Sequence, residues 1–395
     1  MNNITLEFYL PTKVFFGFNV VEKVGEEVQK SLGKKVLVVT GKASTRKYGL
    51  LDKITKKLAM AGVEFAIYDK VEPNPTTETV EEGAKMAQEA GCDMVLGVGG
   101  GSSIDAAKVV ATLATNGGQC IDFKGEEKIK SPPLPIIAIP TTSGSGSEVT
   151  RYAVITQRKK LDKFEIVSHF ISPKVALVDP KCTLTMSKEL TASTGMDALT
   201  HAIEGYVSRK AQPLTDILAL HAMQTVAQNL EVAVKRRDNL TARENMSLAA
   251  LYGGIIINNV RTGLAHALAR PLGGYFGIPH GIANAVVLPQ VMRFNLSRNL
   301  KRFRDISEAF GENIEGLPMK KAAQKSVEAV TKLSRIIGIP NSLKELGVPY
   351  EAIPKVANEA FKVERLRLVN PRSFTLTDVV AVCRRCWKGD LIHES

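Results

Sequence analysis

Between residues 35 and 139 the chain switches repeatedly between two kinds of segment, and this alternation constrains its fold more than any other feature. Short apolar, β-branched runs at 35–40, 64–68, 94–98 and 135–139 read as strands, the first as one buried on both faces of a sheet. The stretches between them carry helical spacing. In 48–61, Leu50, Leu51, Ile54 and Leu58 fall on one helical face, and 77–90 and 104–115 also read as helices. Strands that alternate with helices of this length imply a parallel, doubly wound sheet. After about Leu184 the strands cease, and 214–234, 243–258, 320–337 and 378–387 all follow the 3.6-residue period. The reading is an α/β domain over 1–184 followed by an all-helical domain over 185–395. At 395 residues and 44% hydrophobic, the chain is long enough to bury two such cores.

Charge narrows the partners. The net charge of +12 suits a nucleic acid, a membrane surface or anionic small molecules. Its basic groups are short (Arg158-Lys159-Lys160, Lys235-Arg236-Arg237, Arg384-Arg385) and interleaved with acids, aromatics are 6%, and no nucleic-acid motif accompanies them. Nucleic acid is therefore not the expected partner, and small anions are. The first residues lack a basic leader with an apolar run, and no window offers about 18 uncharged apolar residues, so neither secretion nor membrane insertion is expected. Five cysteines without a framework spacing, including the lone pair Cys383 and Cys386, read as free thiols of a reducing cytoplasm.

Three places concentrate chemistry. Gly99-Gly100-Gly101-Ser102 follows a strand and opens a helix, where glycines admit a phosphate to the free N–H groups of the helix N-terminus. It is not the GxGxxG pattern. The hydroxyl-rich stretch Thr141-Thr142-Ser143-Gly144-Ser145 follows another strand, and loops at the carboxyl ends of parallel strands line one crevice. Two such loops suit a dinucleotide. Histidine is scarce, with six in the chain, yet Asp197 and His201 stand at i, i+4 on one helical face, and His266 and His280 lie among glycines and apolar residues. One aspartate and three histidines make a ligand set for a divalent transition metal such as iron or zinc. Spacing alone leaves that reading and four satisfied core residues both open. His169, His221 and His393 read as buried polar, helix-surface and tail residues.

Across essentially its whole length the sequence resembles the iron-containing (group III) alcohol dehydrogenases. The resemblance rests on Pro11 to Gly17, on the Gly99 loop continued as Asp105 and Lys108, and on Thr141 to Thr150. It continues through Gly195 to Tyr206, His266 to Gly281 and Asn370-Pro371-Arg372. It implies a dinucleotide-binding α/β domain and a helical domain of the dehydroquinate synthase-like fold, with the active site in the cleft between them. The implied metal ligands are Asp197, His201, His266 and His280, holding Fe²⁺ or alternatively Zn²⁺. The implied cofactor contacts are Gly41, Gly99, Gly100, Gly101, Ser102, Thr141, Thr142, Ser145 and Cys182. The implied reaction is hydride transfer between NAD(P)(H) and a small alcohol or aldehyde, with the metal polarising the substrate oxygen. A cytoplasmic homo-oligomer, a dimer, is the accompanying expectation. Dehydroquinate synthase-like and glycerol dehydrogenase-like chemistry on the same fold are the alternatives.

Two departures from the family pattern matter. NAD-preferring members carry an aspartate where this chain has Gly41, so NADP is the expected cofactor, with Lys42, Ser44, Thr45 and Arg46 as nearby donors. Arg270 stands where many members have a histidine, and Arg261 where related sequences usually have a small residue. Arginine does not relay protons near neutrality but grips carboxylates in a bidentate fork. Arg261 and Arg270 are therefore candidate substrate contacts for a small alcohol or aldehyde that carries an acid group. The alternative is that both pair with nearby acids or with the cofactor phosphates.

Overall fold

The computed structural model describes residues 6–42, 44–47, 49–158 and 162–389. These form two compact units, one of residues 10–186 and one of residues 6–9 with 187–389. The sequence reading placed the first residues in the domain 1–184. Instead, the Tyr9 amide donates to Asn259 Oδ1 at 2.6 Å, and the Asn258 and Asn259 amides donate back to the Tyr9 carbonyl at 3.1 and 3.2 Å. Backbone groups of an extended segment need partners, and here helical asparagines supply them.

The α/β unit runs β1 (Lys13–Phe16), α1 (Val24–Lys30), β2 (Lys35–Gly41), α2 (Ser44–Lys47), α3 (Leu50–Met60), β3 (Glu64–Val71), α4 (Thr77–Glu89), β4 (Met94–Gly99), α5 (Gly101–Asn116), β5 (Gly125–Glu126), β6 (Ile136–Pro140), β7 (Tyr152–Gln157), β8 (Asp162–Val167) and β9 (Val175–Val178). Six strands pair in parallel in the order β1-β9-β6-β4-β2-β3. Alternate side chains of one strand serve opposite cores: Leu37 and Val39 pack with Val95 and Ile136, whereas Val36 and Val38 pack with Leu96 and Ile137. That explains why β2 reads as an unbroken apolar run. A smaller sheet, β5-β8-β7, pairs β7 and β8 antiparallel. The sequence reading did not anticipate it.

Register places the candidate loops. Thr40 pairs with Val98 and Gly99 with Pro140, so Gly41, the Gly99–Ser102 turn and Thr141 leave the sheet along one carboxyl edge. β3 lies on one side of β2 and β4 on the other, which makes the β2/β4 gap the topological switch point.

The helical unit comprises α6 (Lys188–Val207), α7 (Pro213–Lys235), α8 (Leu240–Val260), α9 (Leu264–Phe276), α10 (His280–Leu296), α11 (Leu300–Ala309), α12 (Met319–Ile336), α13 (Ile353–Phe361), α14 (Glu364–Val369) and α15 (Leu376–Lys388). The Ser187 hydroxyl caps α6 by accepting from the Leu190 amide at 3.1 Å. From Thr191 onward α6 is buried almost all round. Its glycines make that possible: a Cβ on Gly205 would collide with the Ile256 side chain, and one on Gly195 with Leu230. Asp197, His201 and Glu204 are buried with the rest of this helix. Buried charges and imidazoles persist only with partners or a ligand. All five cysteines are free thiols, with Cys383 and Cys386 buried on α15. Among the described residues no helix is long and apolar enough to cross a membrane.

Candidate functional site

The glycine turn is built by close approach. Gly99 sits at φ +146°, and a Cβ there would strike the Ser103 side chain. A Cβ on Gly100 would lie 3.2 Å from Thr142 Cγ2, and one on Gly101 only 2.7 Å from Ser145 Oγ. The Thr141 amide also donates to the Gly99 carbonyl at 2.9 Å. The glycine turn and the hydroxyl loop are thus packed directly on each other. Gly100 caps α5 without a side chain, so the first amides of a 16-residue helix stay open for a phosphate.

Two residues that the sequence reading passed over join this loop. The Asn74 amide, at φ +58°, donates to Ser102 Oγ at 3.3 Å, and Lys163 Nζ donates to Asn74 Oδ1 at 2.8 Å. The Asn74-Pro75 step after a strand is a turn signal that could have pointed to them. Beside the turn, a cavity of about 160 Å³ is lined by Thr45, Leu50, Lys53, Thr141, Lys181 and Cys182, among others. Burial pushes the Cys182 thiol up to about 12, with Asp179 adding to it, so Cys182 offers this cavity a neutral, weakly polar wall.

Gly41 ends β2 in an irregular pairing with Val71 and has an ordinary negative φ. A Cβ there would rest 3.4 Å from the Val71 carbonyl, an ordinary contact. No tight turn demands glycine here, so a larger residue would fit. Of the expected donors, Arg46 is engaged by Asp69, with Nε and a terminal nitrogen 2.8 and 2.7 Å from Oδ2. The Ser44 side chain lies outside the described residues.

The second site belongs to the helical unit alone. Asp197, His201 and His266 bring one ligand atom each to within 4.8 Å of one another, all buried. His266 comes from the first turn of α9 and His280 opens α10. His280 Nε2 is 3.8 Å from Asp197 Oδ1 and 3.2 Å from the Asn284 amide nitrogen, and its side chain is 44% exposed, so the fourth expected ligand stands at the rim, outside the group of three. The His201 and His266 rings stack at 4.7 Å, and those of His266 and His280 tilt at 5.4 Å.

Glu204 and Asn284, which the sequence reading missed, organise these groups. Glu204 accepts from the Gly263 amide at 2.7 Å, the Ala265 amide at 2.6 Å and His266 Nδ1 at 2.7 Å. One carboxylate therefore caps α9 and fixes the His266 tautomer, leaving Nε2 as the lone-pair atom. That Nε2 is buried and makes no hydrogen bond. Asn284, one turn after His280, donates to Asp197 Oδ1 at 2.7 Å. The signal for Glu204 was its place on the face of α6 already occupied by Asp197 and His201. Two glycines hold the parts together: a Cβ on Gly281 would strike the Ser193 carbonyl, and one on Gly253 would lie 3.3 Å from His201 Cβ.

Electrostatics set the protonation states. Burial pushes the Asp197 carboxyl up, but His201, His280, His266 and the Asn284 amide outweigh it, and it ends below the ordinary carboxylate value. Burial drives His201 down to about 4, opposed by Asp197 and reinforced by the other two imidazoles. At neutral pH the cluster holds one carboxylate, Asp197, and a neutral His201. A divalent cation fits that donor set.

Arg270 is half-buried one turn beyond His266, and Pro271 does not interrupt α9. Arg261 is half-buried at the end of α8, with φ +63° and ψ 173°, a backbone region almost confined to glycine. His169 is 43% exposed and contacts Arg151 at 2.9 Å, so it is a surface residue and not the buried polar one expected. His221 is exposed on α7. His393 lies outside the described residues.

Residues 11–180 match the model of the iron-containing alcohol dehydrogenases, and residues 191–387 match the model of that family's C-terminal part. The chain is 43% identical over 382 residues to the 1,3-propanediol dehydrogenase of Klebsiella pneumoniae, covering 96% of this chain and 98% of that one. It superposes with a TM-score of 0.94 on a crystal structure of 1,3-propanediol oxidoreductase, at 42% identity over 97% of this chain and 100% of the other. The sulfoacetaldehyde reductase of Bifidobacterium kashiwanohense, solved in complex with NAD+, gives 0.89 at 30% identity, covering 98% and 100%.

Proposed function

This chain belongs to the iron-containing alcohol dehydrogenase family and is an oxidoreductase of CH–OH groups, and from that premise we propose that it interconverts a small, acid-bearing alcohol and its aldehyde with NADP(H), through a metal held by Asp197, His201, His266 and His280. The observation that carries the metal assignment is the buried, unbonded Nε2 of His266, aimed among the other donors by the Glu204 bond to Nδ1. Iron is the ion the family implies, and zinc is the alternative these ligand types accept. When bound, the ion supplies a Lewis acid for the substrate oxygen. Asn284 holds Asp197 Oδ1, and Gly281 seats the start of α10 against α6. Arg270 keeps its proton near neutrality, so protons reach the substrate through water or a cofactor hydroxyl.

The NADP preference rests on Gly41. An aspartate fits that position sterically, so its absence removes a charge that would repel a 2′-phosphate. The acid-bearing substrate rests on Arg261 and Arg270, the two half-buried guanidiniums nearest His266 in sequence. A similar protein of known structure is named for sulfoacetaldehyde, an aldehyde with a sulfonate, and this supports the reading. Among the described residues β1 stands at the edge of the six-stranded sheet, which supports a dimer, and buried free thiols support a cytoplasmic setting.

Metal analysis joined to activity tests the centre. The purified protein is expected to hold about one iron or zinc per chain, to lose turnover on chelation and to regain it with Fe²⁺. His266→Ala should abolish turnover and leave the fold intact. Full activity in metal-free protein would refute the assignment.

A further inference from the structure

The motif Asn370-Pro371-Arg372 lies between α14 and α15 and supplies none of the candidate metal ligands. Pro371 stops α14 and keeps Asn370 extended, at ψ 136°. Asn370 is 1% exposed, and its side-chain amide uses both of its protons and accepts twice at its oxygen. Nδ2 donates to Asn295 Oδ1 at 2.8 Å and to the Arg372 carbonyl at 2.7 Å. Oδ1 accepts from Asn295 Nδ2 at 3.2 Å and from the Leu264 amide at 3.4 Å.

These partners sit at the ends of the helices that carry the candidate ligands. α9 has no side-chain cap of its own, because Gly263 stands at its N-cap. Glu204 takes the Gly263 and Ala265 amides, and Asn370 takes the Leu264 amide between them. The two side chains crowd one residue: a Cβ on Gly263 would lie 2.9 Å from Glu204 Oε1 and 3.1 Å from Asn370 Oδ1. His266 follows within the same turn. On α10, Asn295 is paired with Asn370, and the neighbouring Phe294 carbonyl accepts from Arg372 Nη1 at 3.1 Å. The far end of the helix that begins with His280 is thus held at two points. Just past α6, the Arg209 amide and the Ser208 hydroxyl both donate to the Val369 carbonyl, at 2.8 and 3.4 Å. α6 carries Asp197 and His201. The segment 369–372 is therefore bonded at an end of each helix that supplies a ligand.

We propose that Asn370 is a positioning residue of the metal centre: by locking the start of α9 to the end of α10 it fixes how His266 and His280 meet Asp197 and His201, and so sets metal affinity. This rests on the reading of those four residues as metal ligands. Asn370 is not itself a ligand in that reading; it acts through the Leu264 amide and Asn295. The place calls for asparagine. Aspartate could not donate to Asn295 Oδ1 and the Arg372 carbonyl, and leucine could not accept from Leu264. A buried polar network with its groups satisfied rigidifies what it joins, and a metal site needs its ligands held in place before the ion arrives.

The test titrates Zn²⁺ into the full-length apoprotein in competition with a chromophoric chelator, with the absorption spectrum of the Co²⁺-loaded protein and the thermal midpoint of the apoprotein recorded beside it. Asn370→Ala should weaken Zn²⁺ about tenfold, a change of ~1.4 kcal/mol, and should shift the Co²⁺ ligand-field bands. Asn295→Ala breaks the amide pair and leaves Asn370 its bond to Leu264. It should weaken Zn²⁺ by a smaller factor, and it serves if Asn370→Ala does not fold. Trp387→Phe is the control, because it removes the 2.8 Å bond from the indole to the Val348 carbonyl and touches none of these helix ends. It should lower the midpoint and keep the wild-type Zn²⁺ affinity. An Asn370→Ala or Asn295→Ala protein that melts earlier yet binds Zn²⁺ as tightly as wild type makes the asparagine merely structural and overturns the proposal. An equal loss of Zn²⁺ affinity in Trp387→Phe would show that affinity only follows stability, and overturns it too. Wild-type protein that binds none of Zn²⁺, Co²⁺ and Fe²⁺ overturns the metal assignment itself, and the proposal with it.

Discussion

Glu204 Oε2 lies 2.7 Å from His266 Nδ1, while its Oε1 accepts the Ala265 amide at 2.6 Å. The carboxylate that starts α9 is therefore also the one that orients an imidazole on its first turn. Capping energy and ligand geometry are coupled through one side chain, which makes its two functions separable by substitution. Glu204→Gln retains an oxygen for the amides but replaces the charge facing Nδ1. Metal affinity is expected to fall about 10- to 100-fold, the usual cost of losing a carboxylate behind a ligating histidine. Iron retained during dialysis against graded chelator checks this. Unchanged retention would mean that the Glu204 contact only caps the helix.

A second prediction follows from Glu148, buried beside Lys108 with 3% exposure. Burial holds its carboxyl up at about 7, against its backbone hydrogen bond and Lys108. The unfolded chain ionises this group near 4.5, so between those values the unfolded state releases its proton first. The stability tied to Glu148 is full below pH 4.5 and is lost as pH rises through 7. The whole span is worth ~3 kcal/mol at most. Glu148→Gln, uncharged throughout, should match wild type at pH 4 and exceed it at pH 8. Urea melts at the two pH values read the difference, and parallel curves would show a carboxylate already ionised in the folded protein at low pH.

Cofactor choice is tested at one position. A Cβ on Gly41 meets only an ordinary contact, so Gly41→Asp should fold as wild type does. Like charges about 4 Å apart near a surface repel by up to ~4 kcal/mol. The variant should therefore raise KM for NADPH by about tenfold or more and leave NADH unchanged or improved. Wild-type enzyme that binds NADPH far more weakly than NADH would refute the preference. So would a variant whose NADPH-to-NADH ratio stays where it was.

Legibility in the sequence followed the physics of burial. The run 36–39 of β2 was readable because both faces of its strand are covered and every residue is apolar. β7 and β8 were not, because polar residues such as Gln157 and Lys163 interrupt two short strands that depend on each other for pairing. Asp197 and His201 announced themselves by spacing and by the scarcity of histidine. Glu204 did not, since an acid on a helix is usually a solvated one and only the fold shows it buried. His169 misled for the converse reason. It was read as a buried polar residue, yet it sits in a short surface turn against Arg151. Gly41 lies at the end of a strand with an ordinary φ, so its backbone conformation does not require glycine.

Arg261 joins strain to specificity. Its backbone, at φ +63° and ψ 173°, costs ~1–3 kcal/mol for any residue but glycine. Two residues later the Gly263 amide is held by Glu204, so the chain enters α9 already fixed to the carboxylate that holds His266. A strained arginine persists where its side chain is wanted, and in the proposed reading that side chain serves an anionic substrate. Matched substrates, succinic semialdehyde against butanal, should show a preference for the acid in kcat/KM. Arg261→Gly should relieve the strain and hold or raise the melting temperature, yet cut that preference by about tenfold or more, as the loss of a charged hydrogen bond would. Arg270→Ala should cut it as well, without the gain in stability. An acid-to-neutral ratio that is the same in wild type, Arg261→Gly and Arg270→Ala would mean that both arginines serve the protein's own acids and that the substrates are neutral alcohols.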